Sequence, residues 1–306
     1  PLAFRPLPLG SIRPLGWLKQ QLEIQAGGLS GHLDEFWPDI AQSGWIGGAA
    51  EGWERGPYWL DGIVPLAYLL DSDRLKAKVQ RWTDYILTHQ HADGWLGPLR
   101  DTRYGDRYQA YDPWPVFVTL KALTQYYEAS GDTRVLPAME RFLRRLDALL
   151  DEKPLFEWGR FRWADLLVSI HWLYERTGAA WLLDLAAKAH AQGYDWRGHL
   201  TDLQWKGKVP REQCDLRTHV VNSAMAVKTP GVWYRQSAGG AAEHGSARPL
   251  SWPGDGRFQR RRALCRARSL PGHRVVRGGG VHVLARGAAG YPGGPCPRRP
   301  PGAYRL

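Results

Sequence analysis

The sequence lacks several features that would assign it to a class of protein at once. Its 306 residues contain no run of about 18 apolar residues, so we expect no membrane-spanning helix and no membrane partner. Only three cysteines occur, Cys214, Cys265 and Cys296, and they form no CxxC pair, so the residues alone predict neither a disulfide framework nor a metal site. The opening residues PLAFRPLPLG contain neither a methionine nor a signal-peptide core, which leaves the compartment undetermined.

Acidic residues are scarce in one part of the chain only. The net charge is +11, but residues 1–237 carry 28 basic and 28 acidic side chains, whereas residues 238–306 carry 13 arginines, no lysine and two acids. The second segment also holds 14 glycines, 8 prolines and only one of the 16 tryptophans. This change of composition predicts a folded domain over residues 1–237 and an irregular, disordered tail over residues 238–306.

Helical hairpins are predicted for most of the first segment. Between Arg162 and His190, apolar residues recur at spacings of one, three and four, which is typical of a helix that buries one side. Gly178 interrupts the pattern, since glycine tolerates the left-handed conformation that ends a helix. The pattern resumes at Trp181, and two helices joined by so short a turn pack antiparallel.

This hairpin repeats along the chain. The turn sequence YEASG, ending at Gly131, matches YERTG, ending at Gly178, at an offset of 47 residues, and a weaker copy occurs near Tyr68. Connections within hairpins are short, whereas the segments 29–58 and 91–114 between hairpins are long and aromatic. This asymmetry favours an all-α fold, an incomplete (α/α)6 toroid of inner and outer helices, over an open solenoid.

Tryptophan, glycine and acidic residues concentrate in the long segments between hairpins. Sugar rings stack on indole faces and their hydroxyl groups need carboxylate or amide partners, so this composition suits a carbohydrate site. We therefore take Glu51, Trp53, Trp95 and Trp114 as candidate substrate-binding residues. The alternative is that these tryptophans fill the interior of the toroid.

Two further residues are candidates for catalysis. Asp165 lies in the first turn of a predicted helix, where the helix N-terminus stabilises a carboxylate, and the same position also suits a simple helix cap. His219 opens another apolar stripe, and its alternative role is that of a structural histidine. Glu54, Asp61 and Asp112 are additional acids, since glycoside hydrolysis uses two groups, usually carboxylates, about 5 to 10 Å apart.

The segments GGAAEGWERGPYWLDGIVPLAYLL, YYEASGD and REQCDLRTHVVNSAMAVKTP together resemble the β-L-arabinofuranosidase family, glycoside hydrolase family 127, and the resemblance covers residues 4–237. It implies an (α/α)6 toroid followed by β-sandwiches. It also implies retaining hydrolysis by a cysteine nucleophile on a zinc ion, which one glutamate and three cysteines hold. An active-site histidine is implied at His219, while Tyr111 and Trp163 stand where the family has two other histidines. These two positions are therefore candidate substrate-binding residues in an altered pocket.

The Glu-x-Cys motif of that family does not follow His219 in this chain. A shift of one base supplies it, because codons compatible with residues 274–286 spell ELCAVVEYMFSLE in the next frame. In the same frame, residues 257–262 give GFSGDE, with the expected acid/base carboxylate, and residues 248–253 give DRYHGQ. We therefore hypothesise that residues 238–306 are a frame-shifted remainder of the domain. The alternative is a genuine arginine-rich arm that binds nucleic acid.

The sequence thus predicts a glycosidase that acts on a non-reducing terminal sugar such as L-arabinofuranose. This chain is expected to be inactive, since the nucleophile, the zinc-binding glutamate and the acid/base carboxylate are missing from it, and zinc is implied only for an intact homologue. Two alternatives stay open: a toroid that binds carbohydrate without hydrolysis, or acts as an epimerase or unsaturated-uronide hydrolase, and a nucleic-acid binder that uses the tail. We expect a carbohydrate partner rather than a nucleic acid, and the oligomeric state is not indicated.

Overall fold

A computed structural model describes residues 7–99, 110–201 and 216–244. These residues all fall within one unit of the chain, which extends from Pro1 to Ser251. Within them we find thirteen α-helices, two short 3-10 turns and no strand, which confirms the all-α prediction. The helices are α1 (Gly16–Gly27), α2 (Leu29–Phe36), α3 (Pro38–Ala41), α4 (Arg55–Leu69), α5 (Asp73–Thr88), α6 (Trp114–Ser130), α7 (Val135–Glu152), α8 (Glu157–Phe161), α9 (Trp163–Thr177), α10 (Trp181–Gln192), α11 (Trp196–Thr201), α12 (Val220–Ala226) and α13 (Thr229–His244).

Three helical hairpins form the centre of the described structure. Helix α4 pairs with α5, α6 with α7, and α9 with α10. The first helices of these hairpins also pack on one another, α4 on α6 and α6 on α9, and α9 packs in turn on α13. Helices α4, α6 and α9 therefore form an inner layer, and α5, α7 and α10 form an outer layer. Closure of these layers into a toroid stays a prediction.

Glycine ends two of the inner helices, as the repeated turn sequence predicts. Gly131 and Gly178 adopt left-handed conformations with φ of 69° and 68°, and their backbone N–H groups donate to the carbonyl oxygens of Tyr127 and Tyr174. Only glycine adopts this conformation without strain, so the chain reverses at these points. Each reversal places an outer helix against its inner partner.

Large aromatic side chains fill the interior between the layers. The largest fully buried side chains include five tryptophans: Trp82, Trp95, Trp114, Trp163 and Trp196. Three of these are candidate substrate-binding residues, at positions 95, 114 and 163. Their burial agrees with the alternative interpretation that the tryptophans pack the interior.

The segment 29–58, predicted as a long loop, contains α2, α3 and the first turn of α4. Long-range contacts hold this part in place. The Arg74 guanidinium of α5 donates to the carbonyl oxygens of Ala26 and Gly31, and Lys78 donates to Gly31 and to the Asp34 carboxylate. Since these partners come from another helix, local periodicity does not reveal them.

The predicted tail begins at residue 238, but α13 continues to His244. Residues 245–306 lie outside the described residues. None of the described helices is long and apolar enough to cross a lipid bilayer.

Candidate functional site

The N-terminal ends of four helices meet at one arginine side chain. Arg162 immediately precedes α9, Glu54 precedes α4, Trp114 opens α6 and Asn222 lies in the first turn of α12. Trp114 Nε1 donates to Glu54 Oε2 at 2.6 Å, and that oxygen lies 3.5 Å from Arg162 Nη1. Arg162 Nε donates to Asn222 Oδ1 at 2.6 Å. These four residues and Trp158 are termed the arginine cluster.

The guanidinium at the centre of this cluster is almost completely buried. Arg162 is 6% exposed, and its Cζ lies 4.2 Å from the centre of the Trp114 ring and 4.9 Å from that of the Trp158 ring. A guanidinium is weakly hydrated and stacks favourably on indole, so its burial here is offset by two aromatic contacts and a carboxylate. The cluster therefore holds Arg162 in one orientation.

His219 lies beside this cluster, at the residue that precedes α12. Its ring centre is 5.4 Å from that of Trp158, with 32° between the planes. Asn222 Nδ2 donates to the carbonyl oxygen of Arg217, which ties the turn before His219 to α12. His219 Nδ1 is buried and has no hydrogen-bond partner in the described part of the chain. A buried ring nitrogen without a partner is available to a ligand.

Asp165 lies in the first turn of α9, where it forms an ion pair with Lys228. Its other oxygen, Oδ2, is buried and without a partner among the described residues. Burial raises the pKa of the Asp165 carboxyl, although the nearby Lys228 ammonium opposes this effect. Asp61, by contrast, accepts from Lys121 Nζ, which lies 2.7 Å from both of its oxygens. Asp165 therefore has one carboxylate oxygen that the described residues leave without a partner.

Trp53 and Asp112 line a cleft of about 370 Å³ near the start of α6. Trp53 Nε1 donates to Asp112 Oδ2 at 2.8 Å, and Asp112 Oδ1 accepts from the backbone N–H of Trp114 at 3.1 Å. Pockets of roughly 300 to 1,000 Å³ are usual for small ligands, so the cleft has room for one sugar ring. Glycines and small side chains form much of the remaining wall: Gly44, Gly48, Ala49, Ala50, Gly52 and Ala110.

Glu51 stabilises the start of α4. Its Oε1 accepts from the backbone N–H groups of Glu54 and Arg55, at 3.0 and 3.4 Å. Its Oε2 is buried without a partner among the described residues, and burial raises the pKa of the Glu51 carboxyl. The side chain therefore acts as a helix cap and keeps one free acceptor.

Trp95 and Tyr111 lie together, next to the outer helix α7. Their rings meet edge to face at 5.0 Å, and Trp95 also contacts Phe142 at 5.3 Å. Tyr111 donates to Asp93 Oδ2 at 3.2 Å, and the Arg145 guanidinium lies 4.8 Å from its ring centre. Neither of the two candidates has a described contact with the arginine cluster.

Trp163 faces away from Arg162 although the two are adjacent in the sequence. Its Nε1 donates to the carbonyl oxygen of Tyr194 at 3.2 Å, and its ring meets His190 edge to face at 4.8 Å. A Cβ at Gly193 would lie 2.3 Å from Trp163 Cδ1, so the indole occupies this space completely. Trp163 therefore packs against the end of α10, and it has no described contact with His219.

Sequence reasoning missed three members of the site: Trp158, Arg162 and Asn222. No local pattern distinguishes Arg162 among the basic residues of residues 1–237. Its partners Glu54 and Asn222 are both far away in the chain. The one available signal is its place directly before an apolar helix, next to the candidate Trp163.

The described residues offer no group that fits a zinc ion. No cluster of three or more His, Cys, Asp or Glu side chains that could hold a metal occurs among them. Cys214, Cys265 and Cys296 all lie outside the described ranges.

One comparison with known families gives a match. The model described as the β-L-arabinofuranosidase, GH127 catalytic domain, matches residues 23–224. No curated protein matches the chain. The matched range includes all fourteen candidate and cluster residues discussed above, at positions 51, 53, 54, 61, 95, 111, 112, 114, 158, 162, 163, 165, 219 and 222.

Proposed function

The chain belongs to the β-L-arabinofuranosidase family, glycoside hydrolase family 127, and from this membership we propose that it recognises a non-reducing terminal sugar of the L-arabinofuranose type. The supporting observation is structural. Within the matched range, an indole and a carboxylate line a cleft near the ends of helices that also carry Arg162 and His219. Indole faces and carboxylates are the groups that recognise sugar rings and hydroxyls.

In this proposal, Trp53 supplies the stacking face and Asp112 accepts a sugar hydroxyl. The bond between the two side chains fixes the orientation of the indole, so little ordering is needed when the sugar binds. His219 lies beside the arginine cluster, and among the described residues its Nδ1 and the Asp165 Oδ2 have no hydrogen-bond partner. Trp53 and Asp112, which line the cleft, bind and orient the sugar.

We further propose that this chain does not complete hydrolysis. The described residues provide no metal-binding group, and no Glu-x-Cys motif follows His219 in the sequence. The family resemblance assigns the nucleophile and the zinc-binding glutamate to that missing motif. The chain in this form is then a carbohydrate-binding relative of a retaining β-L-arabinofuranosidase, and zinc belongs to an intact homologue.

The reading frame of the gene is the direct test of why the motif is missing. We propose that residues 238–306 are translated from a shifted frame. The codons of residues 274–286 should then read ELCAVVEYMFSLE one base later. Any other peptide at this place in the next frame rejects the frameshift and favours a genuine arginine-rich arm, whose binding to nucleic acid would weaken steeply with salt.

Sugar binding is tested on the chain as it is. Methyl β-L-arabinofuranoside is titrated against the protein by calorimetry, and we expect Trp53→Ala to weaken binding by at least about tenfold because an indole face is lost. Trp181→Ala is the matched control, since Trp181 is also partly buried but lies on α10 beneath Arg144. Equal effects of the two substitutions, or no binding by the parent, would contradict the proposed site.

Hydrolysis is tested by comparing two chains. The chain as it stands and a chain in which residues 238–306 are translated from the next reading frame (the restored chain) are assayed with an aryl β-L-arabinofuranoside. We expect turnover only by the restored chain. Turnover by the chain as it stands would refute its proposed inactivity. No turnover of any aryl glycoside by the restored chain would refute the hydrolase assignment.

A further inference from the structure

Helix α13 packs on the hairpin of α9 and α10 through two histidine side chains. His171 of α9 contacts Gln236, and His190 of α10 contacts Trp233. His171 is 3% exposed and His190 is half-buried. Histidine is the side chain whose charge ordinarily changes between pH 5 and 8, so this helix contact contains two groups that can respond to pH near neutrality.

Gln236 fixes the protonation state of His171. Its Nε2 donates to the carbonyl oxygen of Leu183 at 2.8 Å, which orients the amide so that Oε1 faces the imidazole. His171 Nε2 therefore donates to Gln236 Oε1 at 2.8 Å, and the neutral ring carries its proton on Nε2. A second proton would go to Nδ1, which is buried and has no partner among the described residues. Protonation thus creates a buried charge and a donor without an acceptor.

The charges that face His171 come from α9 itself and from α13. Burial lowers the pKa of the His171 imidazole, and the nearby Arg235 guanidinium of α13 lowers it further. The bond to Gln236 opposes these effects, and so does Glu175, which pairs with Arg235. The docked state therefore binds a proton at His171 less tightly than a state in which α13 is released and water reaches the ring.

His190 is enclosed between aromatic rings of two other helices. Its imidazole stacks on Trp233 of α13, with ring centres 3.7 Å apart and 9° between the planes, and Trp163 of α9 meets it edge to face at 4.8 Å. Burial lowers the pKa of His190, although the Asp195 carboxylate opposes this effect. An imidazolium here lacks part of the hydration that it would have in water, so protonation of His190 also favours release of α13.

Charged side chains of the other helices that pack on α9 and α10 form ion pairs with these two helices. Glu128 of α6 pairs with Arg176 of α9, and Asp147 and Asp151 of α7 pair with Lys188 of α10. These pairs join α6 to α9 and α7 to α10 without using α13. They therefore hold the hairpin in place when α13 is released.

One further ion pair joins α9 to the start of α13. Lys228, directly before α13, pairs with Asp165 of the candidate site. Burial raises the pKa of Asp165, so a fall in pH acts on this carboxyl in the opposite direction from its action on the two histidines. Protonation of Asp165 therefore does not account for a loss of the α13 contact in acid.

We propose that α13 is released from α9 and α10 in mildly acidic solution, when His171 and His190 take up protons. A histidine with a lowered pKa stabilises the docked state fully above its ordinary pKa of 6.5, and this stabilisation is lost as the pH falls from 6.5 towards the lowered values. Each proton taken up on release changes the equilibrium by up to about tenfold per pH unit, so two histidines give up to about 100-fold. The inference does not depend on sugar binding.

Hydrogen–deuterium exchange of the full chain, followed by mass spectrometry from pH 8 to pH 5, measures this release. The equilibrium constant for opening of residues 228–236 is obtained after correction for the intrinsic pH dependence of amide exchange. Helix α6 is the internal reference, because it belongs to the inner layer and does not rely on α13 for its hairpin contact. Opening of residues 228–236 is thereby distinguished from unfolding of the whole domain.

The variants remove the protonation sites but keep the contacts. His171→Gln keeps an amide donor at the position of Nε2, and His190→Phe keeps an aromatic ring in the stack. Neither replacement can take up a proton. His89→Phe is the matched control, because His89 stacks on Tyr85 in a similar way, at 3.8 Å and 8°, but is exposed and far from α13 in the chain. Circular dichroism at pH 8 checks that each variant keeps its helix content.

In the parent and the control, the opening constant of residues 228–236 should rise as the pH falls below 6.5, by up to about 100-fold per pH unit, while that of α6 stays the same. Each single variant should limit the rise to about tenfold per pH unit, and the double variant should lose it. A parent whose opening constant does not change with pH overturns the proposal. So does an equal rise in α6, which indicates global unfolding in acid, or a double variant with the pH profile of the parent.

Discussion

Replacement of Arg162 by methionine tests whether the arginine cluster joins the helix ends. Methionine preserves much of the side-chain volume but removes the guanidinium. The bond to Asn222 is charge-assisted and contributes about 1.5 to 3 kcal/mol. Each contact with an indole, of Trp114 and Trp158, contributes about 1 kcal/mol. Glu54 is partly exposed and is rehydrated in the variant, which offsets about 1 kcal/mol of the lost unfolding free energy. We expect a loss of about 3 kcal/mol of unfolding free energy.

Urea unfolding followed by circular dichroism measures this loss, and the midpoint of thermal unfolding should fall by about 6 to 12 °C for a domain of this size. Arg162→Lys should recover less than half of the loss, because an ammonium lacks the planar face that stacks on indole. The matched control is Arg176→Met. Arg176 also lies over an indole, that of Trp172 at 3.9 Å, but its side chain is 26% exposed, so we expect a loss below about 1 kcal/mol. Arg162→Met within 0.5 kcal/mol of the parent, roughly the error of the method, would refute the reasoning.

Three further predictions concern single positions. Gly178→Ala should destabilise the protein by about 1 kcal/mol, because alanine is strained at a φ of 68°. Gly62→Ala should stabilise it by a similar amount, because Gly62 lies inside α4 and no atom lies near the added Cβ. Urea midpoints of the two variants that shift in the same direction would contradict this. The raised pKa of Asp165 means that the folded state binds its proton more tightly than the unfolded state does. The parent should therefore lose unfolding free energy relative to Asp165→Asn as the pH rises above 3.8 towards the folded-state pKa. A difference in unfolding free energy that does not change with pH would contradict this. Gly193→Ala should cost about 1 to 3 kcal/mol, since its Cβ collides with the Trp163 indole, and a double-mutant cycle with Trp163→Leu should show coupling rather than additivity.

The hairpins could be predicted from sequence because their causes are local. A helix such as α9 has an apolar stripe that is visible within fifteen residues, and its end is marked by Gly178, whose φ of 68° only glycine adopts without strain. Helix α2 shows the limit of this reasoning. Hydrogen bonds from Arg74 and Lys78 of α5, more than 40 residues away, join α2 to the rest of the fold. A local sequence pattern does not include both partners of such a bond.

The site was less predictable than the fold for the same reason. The sequence identified Trp53 and Asp112 as candidates, and the structure brings them together in one cleft. It did not identify Arg162, because the role of that residue follows from partners in three other helices. Trp163 is a candidate through the family resemblance, but its indole packs on His190 of α10 and donates to the carbonyl oxygen of Tyr194.

The packing contacts of the site and the catalytic groups that the family resemblance implies are assigned to different stretches of the sequence. The contacts that fix the helix ends lie between Glu54 and Asn222, within the range that identifies the family. The nucleophile and metal-binding groups that the family resemblance implies belong to sequence after His219. We propose that a shifted frame over residues 238–306 removes these implied groups, whereas the arginine cluster and the cleft of Trp53 and Asp112 lie earlier in the chain. We therefore expect this chain to bind the sugar without hydrolysing it, and we expect turnover only from the chain with the restored reading frame.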